Sequence, residues 1–160
     1  RQRYLYPLEA VGAGDSTLAK AYERDALTMI PTKSKLMPHA REVLEYLSRK
    51  YNLYILSNGF KELQSHKMRS SGIDEYFKKV VLSDDIGILK PWPEIFHFAL
   101  STTQSELNNS LMIGDSWEND IVGAAGVGMH QVFYNLSGRI DLPFAPTYQI
   151  TDLKDLFNFL

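Results

Sequence analysis

Two acidic side chains follow a short apolar run in the sequence LMIGDSWENDIVGAAGVG, residues 111–128. Asp115 comes directly after the run, and Asp120 lies five residues further along the chain. Mg²⁺ typically binds to one or two carboxylates and completes its shell with waters and phosphate oxygens. The pair therefore predicts a metal site, although Asp115 or Ser116 could instead simply cap the helix that follows.

Polar groups also follow two earlier apolar runs. Ser57, Asn58 and Gly59 could form an anion-binding corner from a hydroxyl and backbone N–H groups, and the same tripeptide is also ordinary turn chemistry. Lys90 precedes Pro91, which biases the lysine away from the helical region of backbone space. At such a loop-to-helix junction its ammonium group could balance a phosphate or carboxylates, although most lysines are solvated surface charges.

Short apolar runs alternate with segments of helical periodicity from residue 51 onward. The runs are 53–58, 79–84, 110–115, 130–135 and, more weakly, 147–151. Helices are predicted after Pro38, after Pro93 and at the C-terminus, where Asp152 suits the N-cap. This alternation predicts an α/β fold with a Rossmann-like parallel sheet and flanking helices. Ligands bind outside the carboxyl ends of such strands, so the hydroxyl, the ammonium group and the two carboxylates would converge on one crevice.

Residues 1–32 differ from the rest of the chain, because they contain one helical stretch, from Leu18 to Ile30, and no strand signal. We predict a helical appendage that a linker at 31–38 joins to a core of residues 33–160. The first residues contain neither a methionine nor an apolar signal segment, so the sequence is expected to be part of a longer chain.

Composition excludes several classes of protein. The 160 residues suit one domain with a small appendage. Seventeen basic and nineteen acidic residues give a net charge of −2, which is no reason to expect a nucleic acid polymer or an anionic membrane as partner. No cysteine is present, so disulfides and thiolate metal sites are excluded and a cytoplasmic location is predicted. No apolar stretch approaches the length of a membrane span.

The order of the motifs, ILSNG, then LKPWPEIF, then MIGDSWENDI, resembles the second, third and fourth motifs of the haloacid-dehalogenase-like hydrolase superfamily. The similarity covers residues 36–135 and is greatest to the capped phosphatases, which include pyrimidine 5'-nucleotidases. Residues 1–32 would then be the C-terminal part of the helical cap. The resemblance implies a Mg²⁺-dependent phosphomonoester hydrolase that acts through an aspartyl-phosphate. Its substrate would be a small phosphorylated metabolite, with a nucleoside monophosphate as the first candidate.

The resemblance also implies a role for each candidate residue. Phosphate would bind to Ser57, Asn58, Gly59 and Lys90. Lys90 would also be catalytic, because its charge offsets the negative charge of the transferring phosphoryl group. Asp115 would bind Mg²⁺, and Asp120 would either support the ion, as a further ligand or through its water, or position Lys90.

One family motif is absent from the 160 residues. The first motif is an apolar strand that ends in Asp-x-Asp-x-Thr or Val, and the adjacent pair Asp84-Asp85 neither fits it nor lies in the right place. The nucleophilic aspartate is therefore expected upstream of residue 1, and this chain alone is expected to be inactive. The central first strand of the sheet is expected to be missing with it. An open sheet edge would invite self-association.

Three other classes of protein share part of this pattern of residues. A 2-haloacid dehalogenase uses the same aspartate chemistry on carbon but needs no metal carboxylate, so Asp115 argues against it. A phospho-accepting receiver domain has its acidic residues before its Lys-Pro pair, whereas Lys90-Pro91 precedes Asp115 here. A non-catalytic phosphate-binding α/β domain stays open, because the first motif is missing.

Overall fold

The sheet of this protein consists of two parallel parts. The computed structural model describes residues 2–29 and 34–160. Its strands are β1 (Leu53–Ser57), β2 (Phe77–Leu82), β3 (Leu111–Gly114), β4 (His130–Tyr134) and β5 (Tyr148–Ile150). β1 pairs with β2, whereas β3, β4 and β5 form a separate sheet in that order, and every pairing is parallel. The predicted strands and the α/β fold class are confirmed.

Helices flank the strands. Those of the described ranges are α1 (Gln2–Ala10), α2 (Ser16–Met29), α3 (Ala40–Ser48), α4 (Lys61–Ser71), α5 (Pro93–Thr103) and α6 (Val122–Gly126). The predicted helix after Pro38 is confirmed as α3, and Pro93 occupies the first turn of α5 as expected. None of these helices is long and apolar enough to cross a membrane.

The two chain ends differ from the prediction. The C-terminal segment Leu153–Asn158 is a 3₁₀ helix rather than an α-helix, although Asp152 caps it as predicted, with its carboxylate accepting a hydrogen bond from Lys154 N at 2.8 Å. At the other end the helical stretch predicted from Leu18 onward is found as α2, and a helix that was not predicted, α1, precedes it and packs against it. Pro7 lies inside α1, and a proline in a helix removes a backbone hydrogen bond, so the segment was not recognisable as helical.

The chain divides into two compact units. One contains α1, α2 and residues 61–74 with α4, and the other contains residues 36–60 and 75–160 with all five strands. Residues 30–33 lie outside the described residues. They include the predicted boundary between residues 32 and 33 and the first part of the predicted linker. The assignment of residues 1–32 to a cap stays a prediction.

The strand-containing unit has an apolar cluster on each face of its strands. The first includes Val43, Leu47, Val132, Tyr134, Ile150 and Leu156, and the second includes Ile95, Phe96, Ala124 and Met129. Leu53 of β1 and Leu111 of β3 both pack against the first cluster. Leu56 of β1 and Met112 of β3 both pack against the second. The two sheet parts therefore share one core, although no strand of the described residues joins β1 to β3. This interruption accords with the expected loss of a central strand.

Candidate active site

The predicted site residues lie at the carboxyl ends of the strands. β1 ends at Ser57, opposite the last residue of β2, and β3 ends at Gly114, opposite Phe133 of β4. Directly after β1 the chain turns, and Gly59 N donates a hydrogen bond to Ser57 Oγ at 3.0 Å. Two of the predicted phosphate-binding groups therefore contact each other in the turn that follows the strand.

Asn58 holds the backbone of Lys90. Its Oδ1 accepts a hydrogen bond from Lys90 N at 2.8 Å, and its Nδ2 donates one to Lys90 O at 3.1 Å. An amide side chain can form both of these hydrogen bonds because it carries a donor and an acceptor. The contact ties the loop before α5 to the end of β1, and the Lys90–Pro91 peptide bond in that loop is cis.

Lys90 forms a buried ion pair with Asp120. The two side chains are 9% and 6% exposed, and Lys90 Nζ lies 2.5 Å from Asp120 Oδ1. Lys90 Nζ also donates a hydrogen bond to Leu56 O of β1 at 2.8 Å. A buried charge is tolerated when it is paired and hydrogen-bonded, and here the pair joins the end of β1 to the segment that follows β3.

Gly114 makes room for Asp120. A Cβ atom at Gly114 would overlap with Cβ, Cγ and Oδ2 of Asp120, so only glycine fits at the end of β3. Asp120 Oδ2 also accepts a hydrogen bond from Ser116 N at 3.0 Å. Asp120 lies in the π-helical turn Trp117–Ile121, which precedes α6. Both carboxylate oxygens of this residue therefore have partners within the protein.

Asp115 is the more available of the two predicted metal ligands. Its side chain is exposed, and it makes no hydrogen bond or ion pair with the part of the chain that the structure describes. It lines a cavity of about 320 Å³ whose other lining residues are Met37, Ile113, Gly114, Tyr134, Leu136 and Leu153. One available carboxylate fits Mg²⁺, which often binds few protein ligands, but the described residues contain no cluster of three acidic or histidine side chains that could form a complete metal site.

A second asparagine clip lies after β4, and sequence analysis did not select it. Asn135, 4% exposed, accepts a hydrogen bond from Arg139 N at 2.9 Å and donates one to Arg139 O at 2.8 Å. Arg139 Nη1 in turn lies 2.6 Å from Glu118 Oε1. The hydrogen bond from Arg139 holds the pKa of Glu118 below its ordinary value. An asparagine directly after a strand, as at Asn58, is the signal that could have identified Asn135.

A chain of hydrogen bonds connects most of the predicted residues. It runs from Asn58 to Lys90, from Lys90 to Asp120, and from Asp120 to the backbone of Ser116, next to Asp115. Ser57 and Gly59 lie at the start of this chain, beside Asn58. The arrangement places a hydroxyl, an ammonium group and an available carboxylate near the ends of parallel strands, and the roles assigned to these residues stay predictions.

The chain belongs to the haloacid dehalogenase-like hydrolase family, whose model matches residues 4–128. Its relatives include phosphatases and a nucleotidase. The resemblance that the motifs indicated is confirmed.

Two bacterial relatives illustrate the relationship. The HAD-hydrolase YfnB of Bacillus subtilis is 31% identical over 157 residues, which are 97% of this chain and 64% of YfnB. The pyrimidine 5'-nucleotidase YjjG of Escherichia coli is 31% identical over 127 residues, which are 78% of this chain and 56% of YjjG. The chain thus spans between about half and two thirds of the length of these relatives.

Solved structures show the same fold. The crystal structure of YfnB, bound to magnesium, superposes with a TM-score of 0.88 at 28% identity and covers 99% of this chain and 69% of YfnB. A 2-haloacid dehalogenase from Pseudomonas syringae superposes with a TM-score of 0.73 at 27% identity and covers 97% of this chain and 66% of the dehalogenase. The fold is therefore common to proteins described as a HAD-hydrolase and as a 2-haloacid dehalogenase.

Proposed function

We propose that this chain carries the phosphate- and metal-binding part of a Mg²⁺-dependent phosphomonoester hydrolase. The observation that supports this best is the buried Lys90–Asp120 pair, which Asn58 fixes in place beside the available carboxylate of Asp115. Asn58 holds the backbone of Lys90, and Asp120 holds its side chain. A lysine fixed in this way is suited to stabilise the negative charge of a transferring phosphoryl group, which is the main requirement of phosphoryl transfer.

Lys90 is the catalytic residue of the proposal. Its ammonium group has three N–H donors, and two of them bind Leu56 O and Asp120 Oδ1. The third is directed to a phosphoryl oxygen, where its charge offsets the negative charge that accumulates during transfer. Asp120 is a positioning residue, since it orients Lys90 and the backbone of Ser116 rather than touching the substrate.

Ser57 and the turn after β1 complete the phosphate site. The Ser57 hydroxyl donates to a second phosphoryl oxygen, and Gly59 allows the close turn that presents the hydroxyl. Asn58 acts through Lys90, because its amide is engaged with the lysine backbone. Its assignment as a direct phosphate ligand stays a prediction.

Asp115 holds Mg²⁺ in the proposal, together with waters and phosphoryl oxygens. When bound, the ion supplies positive charge that polarises the phosphoryl group. The role of Asp120 as a further metal ligand stays a prediction, and the occupied state of both its oxygens supports an indirect role instead. The crystal structure of the relative YfnB bound to magnesium supports the choice of ion.

The nucleophile is assigned to none of these carboxylates. Transfer through an aspartyl-phosphate requires an aspartate that attacks phosphorus, and no Asp-x-Asp motif occurs in the chain. We assign that aspartate to a segment outside residues 1–160. The substrate is a small phosphorylated metabolite, with a nucleoside monophosphate as first candidate because YjjG is a pyrimidine 5'-nucleotidase, and the enzyme is predicted to be cytoplasmic.

Binding of orthophosphate tests the proposal without requiring turnover. We expect phosphate, followed by ³¹P NMR, to bind more tightly when Mg²⁺ is added. The Asp115→Asn substitution should abolish this gain, with a loss of about tenfold or more in affinity at saturating Mg²⁺. Asp141→Asn, which removes the same charge from another exposed aspartate, is the matched control and should retain the gain. Equal effects of the two substitutions would contradict the assignment of Asp115.

A dehalogenase is the second candidate, because a 2-haloacid dehalogenase has the same fold at similar identity. The two functions differ in their need for metal. If a halide-bearing acid such as 2-chloropropionate binds in the absence of Mg²⁺, and Asp115→Asn does not weaken it, the dehalogenase is favoured. Phosphate binding that responds neither to Mg²⁺ nor to Asp115→Asn favours a non-catalytic phosphate-binding domain.

A further inference from the structure

Two basic side chains pair with the turn that follows Asp115. Lys90 pairs with Asp120, and Arg139 Nη1 lies 2.6 Å from Glu118 Oε1. Both acidic residues belong to the same π-helical turn and are two positions apart in the sequence. The proposed function uses only the first pair, so the second needs an explanation of its own.

Each of the two basic residues is held by an asparagine that follows a strand directly. Asn58, after β1, binds the backbone N–H and C=O of Lys90, and Asn135, after β4, binds those of Arg139 at 2.9 and 2.8 Å. Asn135 is 4% exposed, and its own backbone nitrogen donates to Ile150 O of β5 at 2.8 Å. The backbone of Arg139 is therefore tied to the carboxyl end of the sheet, as the backbone of Lys90 is.

Arg139 contacts Trp117 as well as Glu118. Its guanidinium carbon lies 5.7 Å from the centroid of the Trp117 ring, which is within the range of a cation–π contact. Trp117 is buried, and its ring packs against Phe133 of β4 and Phe144 at centroid distances of 5.2 and 4.8 Å. Arg139 therefore holds two consecutive residues of the turn against the strand from which its own loop begins.

Asp115 depends on this turn for its position. Within the described ranges its side chain has no hydrogen-bond or ion-pair partner. The next residue, Ser116, belongs to the turn, because its carbonyl oxygen accepts hydrogen bonds from Asp120 N and Ile121 N at 2.8 and 3.3 Å. Mg²⁺ requires near-ideal coordination geometry, and groups behind a ligand commonly orient it. A fixed turn would therefore favour metal binding by this carboxylate.

We propose that Arg139 is a positioning residue of the magnesium site. Held by Asn135, it fixes the turn through Trp117 and Glu118, and the turn fixes Asp115. Arg139 touches neither the ion nor the substrate in this role. It has the role only if Asp115 binds Mg²⁺, so the inference rests on the proposed function.

The direction of the change in Mg²⁺ affinity separates positioning from a simple effect of charge. Arg139 is a cation whose partner Glu118 lies three residues after Asp115. If only charge mattered, loss of this cation would raise the affinity for Mg²⁺. If Arg139 fixes the turn, its loss lowers the affinity. The two paired side chains are 37% and 69% exposed, and such a pair contributes little to global stability, so a lower affinity would not reflect unfolding.

The first readout is the Mg²⁺ affinity at Asp115, followed by NMR through the backbone amide of that residue. We expect Arg139→Gln to weaken binding by about tenfold and Arg139→Lys, which keeps the charge, to retain most of the affinity. Arg49→Gln is the matched control, because Arg49 forms a similar exposed pair with Glu45 at 2.7 Å within α3, and it should change nothing. An affinity that Arg139→Gln leaves unchanged or raises would overturn the proposal.

The second readout is hydrogen exchange without Mg²⁺ or phosphate. Arg139→Gln should accelerate exchange of the Asp120 and Ile121 amides, which donate to Ser116 O, and should leave the amides of β2 unchanged. Unchanged exchange in the turn would overturn the proposal even if Mg²⁺ binding falls. A Mg²⁺ response that is absent already from the unsubstituted chain would contradict the proposed function. A response that is normal there and unchanged in Arg139→Gln would overturn this inference alone.

Discussion

At the level of single residues, the Lys90–Asp120 pair is the contact on which the site depends most. Both side chains are nearly excluded from solvent, so each charge depends on the other for compensation. Loss of one partner from a buried pair leaves an unpaired charge in a low-dielectric environment, which is much more costly than loss of a surface pair.

We expect Lys90→Met to lower the free energy of unfolding by about 3–5 kcal/mol, because it leaves the Asp120 carboxylate buried without its cation. Urea denaturation measures the loss. Lys78→Met, at an exposed lysine of β2, is the control and should change stability by no more than about 0.5 kcal/mol. Adding Asp120→Asn to Lys90→Met should recover part of the loss, and equal effects of the two lysine substitutions would contradict a buried pair.

Glu118 provides a prediction about pH. The hydrogen bond from Arg139 lowers the pKa of Glu118, so the ion pair contributes stability above the ordinary glutamate pKa of 4.5 and loses it as the pH falls through the lowered pKa. Arg139→Gln should raise the pKa of Glu118 toward 4.5, as measured by an NMR titration of its carboxyl carbon. A pKa that the substitution leaves unchanged would show that another group is its cause.

Sequence analysis identified the charged residues of the site better than the amides that position them. Lys90, Asp115 and Asp120 could be predicted because each follows an apolar run at a known place in an α/β sheet. The contacts of Asn58 and Asn135 with distant backbone groups could not, because they depend on how two loops pack. Residue type indicates that an amide can hold a backbone segment but not which one.

At the level of elements, the end of β3 and the turn after it act as one unit. Ser116 caps the turn, and its carbonyl accepts hydrogen bonds from the backbone nitrogens of both Asp120 and Ile121. The wide π-helical geometry places Asp120 over Gly114, where it meets Lys90. A pattern of apolar residues predicts a helix here, but the wider turn depends on these tertiary contacts and was not predictable.

We expect Gly114→Ala to lower stability by about 1–3 kcal/mol, because the new methyl group would displace Asp120 from Lys90. Gly126→Ala is the matched control in α6, since a Cβ there meets no atom within 4 Å, and it should be neutral or stabilise by up to about 1 kcal/mol. Thermal and urea denaturation give both values. If both substitutions were equally harmless, the close approach of Asp120 to β3 would be contradicted.

At the level of the whole molecule, the sheet is interrupted between β1 and β3. In our proposal the chain contains the groups that bind phosphate and metal but not the nucleophile. The strands, their order along the chain and the α/β class were predictable from alternating apolar runs. The first helix and the 3₁₀ geometry at the C-terminus were not, because local sequence favours them weakly and packing decides them. The sequence likewise did not indicate that α4 belongs to a different compact unit from β1 and β2, the strands that precede and follow it.

We expect the 160-residue chain not to release phosphate from an aryl phosphate in the presence of Mg²⁺, because none of its carboxylates is assigned as nucleophile. The measurement is a colorimetric assay of the unsubstituted chain alongside Asp115→Asn. Turnover that disappears with a chelator and with Asp115→Asn would contradict this expectation, since a carboxylate of this chain would then have to attack phosphorus.

The turn after β1 also affects how readily Asn58 is deamidated. In an Asn-Gly sequence such as Asn58-Gly59, the backbone nitrogen of the glycine readily attacks the side-chain carbonyl carbon of the asparagine. Ammonia leaves, and the cyclic imide that forms is then hydrolysed to an acid. In the folded chain Gly59 N donates to Ser57 Oγ, and Asn58 Nδ2 donates to Lys90 O. Both reacting groups are therefore engaged in hydrogen bonds in the folded chain, which disfavours the attack. Deamidation would replace the Asn58 amide donor with a carboxylate that faces the carbonyl oxygen of Lys90. Deamidation of the unfolded chain would therefore weaken the contact that positions Lys90.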